Sequence, residues 1–439
     1  MKSINIMGNT LKYFFLFAFC YLFVAQSIAQ NDINTPYSKF GVGNVSPRFN
    51  HILGSMGGVG YALQHPYYIN FKNPAALAAF DSLSFIADFS FSAVNQQLKN
   101  DKLTQSGTFA QFDYLAIGLP ILKVWRMSAG IMPYSDVGYG ILETRKIDSL
   151  GTDKNVTLNY QYKGTGGLHL FYWGNAFKVC KGLTLGMNLS YLFGTINTSS
   201  YSEYSTEHTL NTMINNFRYL DGIYIAGGVQ YHTSFKEKHS IGLGAVYENS
   251  IKVWSRENLI VLNYFGTYNP NLSFDTVRYE TGKKASKSTV KLPQVFGGGL
   301  SYGYKDRILA SVDVSWQNWK KFSMKNSNDK FQNNWITAFG VQYVPNPSSS
   351  KYFNKINFRV GARYATGYFV VKNHAISEFA VSFGLGFPIR TFTSRSSVNV
   401  MFEYNRIGMV QNNLILQNCY RLSFNFILQE KWYQRRKIE

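Results

Sequence analysis

The residues with the greatest chemical potential are one serine, seven histidines and a few charges set among apolar neighbours. Gly299-Leu300-Ser301-Tyr302-Gly303 matches the Gly-x-Ser-x-Gly pattern, which exposes a nucleophilic serine on a strand-to-helix turn. Here it lies inside an alternating, glycine-rich segment from Phe296 to Tyr304, and no helical pattern follows. Such glycines read as a bend or a close packing contact instead. His51, His65, His169, His208, His232, His239 and His374 show no His-Glu-x-x-His or paired-ligand spacing, so a metal site is not expected. No phosphate loop or dinucleotide fingerprint is present. Cys180 and Cys419 lie far apart and read as isolated thiols. The sequence therefore predicts no catalytic residues, no cofactor and no enzyme.

Six charges matter for another reason. Asp88, Glu248, Asp313, Arg359, Arg363 and Glu403 all fall on the polar parity of alternating segments. On the inner wall of a barrel they could guide a polar solute. They could also pair with each other or with chain inside the barrel, and so stiffen it.

The elements that must position them repeat with period two. Leu83, Phe85, Ala87, Phe89 and Phe91 interleave with Ser84, Asp88, Ser90 and Ser92. Leu183, Leu185, Met187, Leu189 and Tyr191 interleave with Thr184, Gly186, Asn188 and Ser190. The stretches from Ile356, Phe379 and Val398 behave alike. Successive strand side chains point to opposite faces, so each segment has one apolar and one polar face. Many of these runs approach the ~9–11 residues a tilted strand needs to cross a bilayer. About fourteen strands are expected, and their links alternate between long and short, as in bacterial barrels with short periplasmic turns and long outer loops. Val179 to Gly182, Lys236 to Lys238 and Lys305 to Arg307 are short. Tyr139 to Gly166, Thr198 to Leu220 and Ser250 to Lys291 are long. The rule weakens at Pro345 to Asn354, which is long for a turn. An even count places both termini in the periplasm.

Composition agrees. Of 439 residues, 45% are hydrophobic, 17% aromatic and only 15% charged. The mean hydropathy of −0.15 is too low for a helical membrane bundle but suits a barrel with an apolar outside and a polar inside. The net charge of +20 comes from residues spread along the chain, with no nucleic-acid-binding motif. It suits turns and loops facing anionic lipid headgroups, including lipopolysaccharide. At the start, Lys2 and Lys12 precede the apolar run Tyr13 to Ala25, then Ser27-Ile28-Ala29. This reads as a secretory signal peptide over 1–29, cut after Ala29.

Residues 30–81 hardly alternate and hold Gly54, Gly57, Gly58 and Gly60 among Phe40, Phe49, Tyr67, Tyr68 and Phe71. A barrel of this size leaves a lumen that wall side chains alone do not fill. The segment is therefore expected to be a hatch or plug, ahead of a barrel over 82–428 and a basic periplasmic tail over 429–439. In Asn73-Pro74-Ala75, Pro74 fixes its own φ and keeps Asn73 extended, while Ala75 permits close approach to a wall. Gly54 to Ala62, followed by Asn73-Pro74-Ala75-Ala76-Leu77, resembles the N-terminal hatch of the FadL/TodX family of outer-membrane transporters. The end of the chain, Phe426 to Glu439, is similar to FadL-like proteins of Bacteroidetes-type bacteria. One departure is Gln64-His65-Pro66-Tyr67-Tyr68, where that family often carries acidic residues.

The resemblance implies an all-β, transmembrane antiparallel barrel of the outer membrane. It also implies passive uptake of hydrophobic compounds, such as long-chain fatty acids, through a plugged lumen. Aromatic loops over Tyr201 to Tyr219 and Tyr264 to Phe274 would then supply a capture site. The alternative is a barrel that does not transport but serves as a subunit of an outer-membrane secretion or assembly complex, as FadL-like barrels similar to PorV do.

Overall fold

Fourteen antiparallel strands close into a barrel in the computed structural model. It describes residues 35–431, apart from 82–83, 151–152, 207–208, 237, 267, 269–274, 326, 328 and 392–393. The signal peptide over 1–29, the first residues of the expected hatch and tail residues 432–439 lie outside the described residues.

The strands are β1 (Ser84–Lys99), β2 (Thr104–Pro120), β3 (Trp125–Leu150), β4 (Asp153–Cys180), β5 (Leu183–Tyr204), β6 (Leu210–Phe235) and β7 (His239–Glu248). They continue as β8 (Val295–Tyr304), β9 (Ile308–Gln317), β10 (Asn334–Tyr343), β11 (Asn357–Ala365), β12 (Glu378–Arg390), β13 (Arg395–Ile407) and β14 (Leu416–Lys431). Each pairs with its neighbour in sequence. The ring closes where β1 meets β14, from Ser84↔Lys431 to Lys99↔Leu416. Closure leaves no unpaired edge within the lipid, where an unpaired backbone group has no water to bond. β14 takes in Gln429, Glu430 and Lys431.

Alternation sorts the two faces. Along β5, Leu185, Met187, Leu189 and Tyr191 are exposed on the outside, while Thr184 and Ser190 are buried inside. Along β1, Asp88, Ser90 and Ser92 are buried inside.

Strand lengths report where the membrane is. β7 to β10 have 10 residues each, about what a bilayer crossing requires. β3, β4, β5 and β6 have 26, 28, 22 and 26 residues, and so run well past it. Lys252–Phe265 continues beyond β7 and pairs with the far half of β6, from Asp221↔Trp254 to Leu210↔Phe265. Asp275–Glu280 and Ser286–Lys291 pair with it in turn.

This corrects one expectation. Tyr139 to Gly166 and Thr198 to Leu220 are not loops but the paired ends of long hairpins, as Tyr139↔Gly164 and Ser202↔Thr212 show. Beyond the membrane the hairpins keep one buried face, with Leu158, Met213, Leu262 and Tyr264 inside, while the other meets water instead of lipid. The two-sided contrast fades from the sequence there while the hydrogen-bond ladder continues.

Leu243→Arg places a cation on the lipid face near the middle of β7, where Leu243 is 50% exposed. It should cost ~2–4 kcal/mol and deplete the folded, heat-modifiable band on a gel. Leu142→Arg, on the projecting part of β3, should leave that band within ~0.5 kcal/mol of wild type. Equal damage from both would refute the membrane boundary drawn here.

Candidate functional site

The inner wall and the N-terminal segment make one continuous site. The segment begins with Thr35, whose N–H donates to the Gly138 carbonyl. Asn44 and Val45 then pair antiparallel with Asp136 and Ser135 of β3. Asn50 caps a single helical turn, His51–Gly54, its side chain accepting from the Leu53 N–H at 2.8 Å. The same side chain donates to the Ile69 carbonyl at 2.6 Å, tying two passes of the segment together. Ile52, Leu53, Met56, Val59, Leu63 and Ile69 are all buried and form the middle of the main apolar core.

Asp313, on β9, anchors the segment to the wall. One carboxylate oxygen accepts from the Gly60 N–H at 2.7 Å, from the Tyr61 N–H at 3.0 Å and from Lys72 Nζ at 3.2 Å. Lys72 also lies 4.1 Å from the centre of the Tyr61 ring. The next carbonyls are held too. Gln230 donates to Tyr61 O, and Ser301 to Ala62 O at 3.0 Å, with His232 Nε2 at 2.9 Å from the same oxygen. Ser301 is thus a strand residue holding backbone, not the tip of a nucleophile elbow.

The other wall charges are also partnered. Glu248 meets Arg48 of the segment at 2.6 Å, and the Tyr224 hydroxyl accepts from Arg48 at 2.7 Å. Burial works to lower the Arg48 pKa, but the Glu248 carboxylate together with the Tyr224 and Tyr134 hydroxyls outweighs it, so the guanidinium is held well above its ordinary value. Arg363 pairs with Glu378 at 2.9 Å and Glu403 at 3.4 Å. Arg359 donates to Gln342 and Asn399. Asp88 accepts from Tyr114 and Asn425. His51 meets Asp113 at 2.7 Å. Arg48, Lys72, His51, Asp113 and Glu378 complete this network. The first three lie in a segment with no periodicity, so no pattern marks them in the sequence.

Asn73, Pro74 and Ala75 sit against β4, β5 and β6. Asn73 Oδ1 accepts from the Ala75 N–H at 3.0 Å, and its Nδ2 donates to Tyr61 O and Val229 O. Pro74 opens the 3-10 turn Pro74–Ala79, where its missing N–H leaves nothing unsatisfied. At the base of the barrel, Arg126 Nε donates to Phe80 O at 3.0 Å.

Glycines in the wall trace the path of the segment. A Cβ at Gly384 would overlap Ser55, one at Gly340 or Gly361 would overlap Met56, and one at Gly244 the Tyr61 carbonyl. A Cβ at Gly228 would overlap Asn73, and one at Gly186 Pro74 and Ala75. Gly57 answers from the other side, with φ +72 and its own Cβ position blocked by the backbones of Phe339 and Ala362.

Two cavities lined jointly by segment and wall measure about 160 and 100 Å³. Above them, Trp319 stacks on Tyr368 at 4.4 Å and Phe40 on Phe369 at 5.5 Å. Tyr201, Tyr264 and Tyr268, from the expected capture loops, pack on one another. Residues 269–274 of those loops lie outside the described residues. Cys180 and Cys419 are free. Among the described residues no cluster suits a metal ion. The arrangement holds backbone in place.

Asp313→Ala would strand two buried N–H donors, at ~1–3 kcal/mol each. Limited proteolysis should then cut within 35–80 while the barrel stays folded. Gly361→Val should do the same by overlap, and Gly227→Ala, with open space at its Cβ, should not.

Solved structures share this architecture. The CymD monoaromatic hydrocarbon channel matches 90% of this chain and 99% of its own, with a TM-score of 0.57 and 12% identity. A Pseudomonas aeruginosa FadL homologue and the Pseudomonas putida toluene transporter TodX each match 89% of this chain and 100% of their own, at a TM-score of 0.56 and 12% identity. The fold is therefore that of the FadL-type outer-membrane barrels, as the glycine and Asn-Pro-Ala stretches imply. No curated protein matches the chain. A family model, BamG, matches residues 11–439, and the chain belongs to the BamG family.

Proposed function

We propose that this chain works as a closed barrel, a fixed subunit of an outer-membrane secretion or assembly complex, with its N-terminal segment as a permanent plug. The observation that carries this reading is the filled lumen. Pockets that hold small ligands usually enclose ~300–1,000 Å³. The two cavities beside the segment measure about 160 and 100 Å³. The segment is also tied to the wall through Asp313, Glu248, Gln230 and Ser301. The projecting part of β3 to β6 offers a platform. Leu142 on β3 is 67% exposed, and Val277 and Tyr279 on the adjoining strand Asp275–Glu280 are 58% and 59% exposed. In this reading the long hairpins face outward and both termini are periplasmic.

The second reading is passive uptake of hydrophobic compounds, long-chain fatty acids among them. It is favoured by the likeness, across nearly the whole chain, to barrels described as hydrocarbon channels and a toluene transporter. Uptake would require the segment to move, breaking the Asp313 and Glu248 contacts.

Purification of tagged protein from its native membrane separates the two. The subunit reading expects one stoichiometric outer-membrane partner, lost on the triple change Leu142→Asp, Val277→Asp and Tyr279→Asp with the barrel still folded. A lone monomer that binds fatty acid saturably would reverse the order of the readings.

A further inference from the structure

The outward face of β6 to β10 carries a feature that neither reading uses. Tyr247, Phe296, Trp316 and Trp335 are register partners on four adjacent strands and form one row across the wall. The Tyr247 and Phe296 rings are 4.8 Å apart, and those of Phe296 and Trp316 5.9 Å. Such rows mark the membrane interface in outer-membrane barrels. On the lipid side of the row the wall is shallowly indented. Ala245, Gly298 and Val314, two residues below the row, and Gly227, which continues the row opposite Tyr247, line a shallow, open apolar depression of about 600 Å³. No packing partner among the described residues fills it.

On the other side of the row, toward the long hairpins, the same face turns cationic. Lys252 lies opposite Lys291, and Arg256 opposite Lys287, with Trp254 and Thr289 between them. Trp254 is 60% exposed, whereas Val253, Ser255 and Glu257 are buried, so the basic side chains share the outward face. None of the four makes an ion pair among the described residues. Asp221, opposite Trp254 on that face, pairs with none of them either. Lys320 and Lys321 are exposed nearby. Like charges directly opposite on paired strands repel. Two such pairs in succession, at a membrane interface, call for an anion from outside the chain.

We propose that this face binds the phosphorylated glycolipid of the outer leaflet, lipid A, with phosphates on Lys252, Lys291, Arg256 and Lys287 and an acyl chain in the hollow. One molecule then answers both features: charge above the aromatic row and hydrocarbon below it. The site stands whether the barrel transports or docks, and it depends on the long hairpins facing outward.

The test uses full-length protein, purified in detergent, stripped of lipid and titrated separately with lipid A and with phosphatidylglycerol. Tryptophan emission should shift saturably with lipid A and far less with phosphatidylglycerol. Lys252→Gln with Lys291→Gln should weaken lipid A binding roughly tenfold. Gly298→Leu, which fills the hollow without touching the cations, should weaken it too. Lys351→Gln with Lys355→Gln, at the opposite end of the barrel, should not. No saturable shift in the unmodified protein, equal response to both lipids, or equal loss from the two lysine pairs would overturn the assignment. The wild-type titration decides the matter even if a variant fails to fold.

Discussion

Everything in this molecule follows from the need to pair each backbone N–H and C=O inside hydrocarbon. The pairing of β1 with β14 meets that need by removing the last edge. A closed ring of fourteen strands then creates a second demand. Its inward faces carry buried Asp, Glu and Arg side chains, and an unpartnered buried charge is strongly unfavourable. The chain supplies the partners itself. Glu248 finds Arg48, Asp313 finds Lys72 and two backbone N–H groups, and Arg363 finds Glu378 and Glu403. The lumen is thus a core in the ordinary sense, with one layer supplied by the wall and the other by residues 35–80.

The barrel was legible in the sequence because lipid and lumen impose opposite demands on neighbouring residues. Leu185 and Ser190 sort cleanly by parity, and so do Asp88, Asp313 and Arg363. The projecting hairpins were not legible as strands, because outside the lipid the buried face takes polar Asn211 beside Met213 and the exposed face carries Leu210 and Ile214, so hydropathy no longer sorts odd from even positions. The partners of the wall charges were hidden for a related reason. Arg48, His51 and Lys72 sit in a segment folded by long-range contacts, without a repeating neighbourhood to mark them. Asn73-Pro74-Ala75 could be read as a stiff corner beside a wall. Its seat against Gly186 and Gly228 follows only from three-dimensional register.

The glycines refine what the fold relationship means. A shared barrel with hydrocarbon channels speaks to architecture, while function depends on the site built upon it. Here Gly244, Gly340 and Gly361 are shaped to the backbone of this chain's own segment, at Tyr61 and Met56. A wall that fits one backbone so closely leaves little freedom for that backbone to slide. The outer face is shaped differently, with small residues opening a hollow beneath an aromatic row rather than receiving chain.

The meeting of the first and last strands also sets a timetable. β1 cannot find β14 until nearly the whole polypeptide has been delivered, since Ser84 pairs with Lys431. Residues 35–80 dock most readily before that seam closes, because afterwards only the open ends of the cylinder admit their bulky side chains. A chain that closed early would trap its inner charges with water alone, and one that closed late would expose a long strand edge to its neighbours.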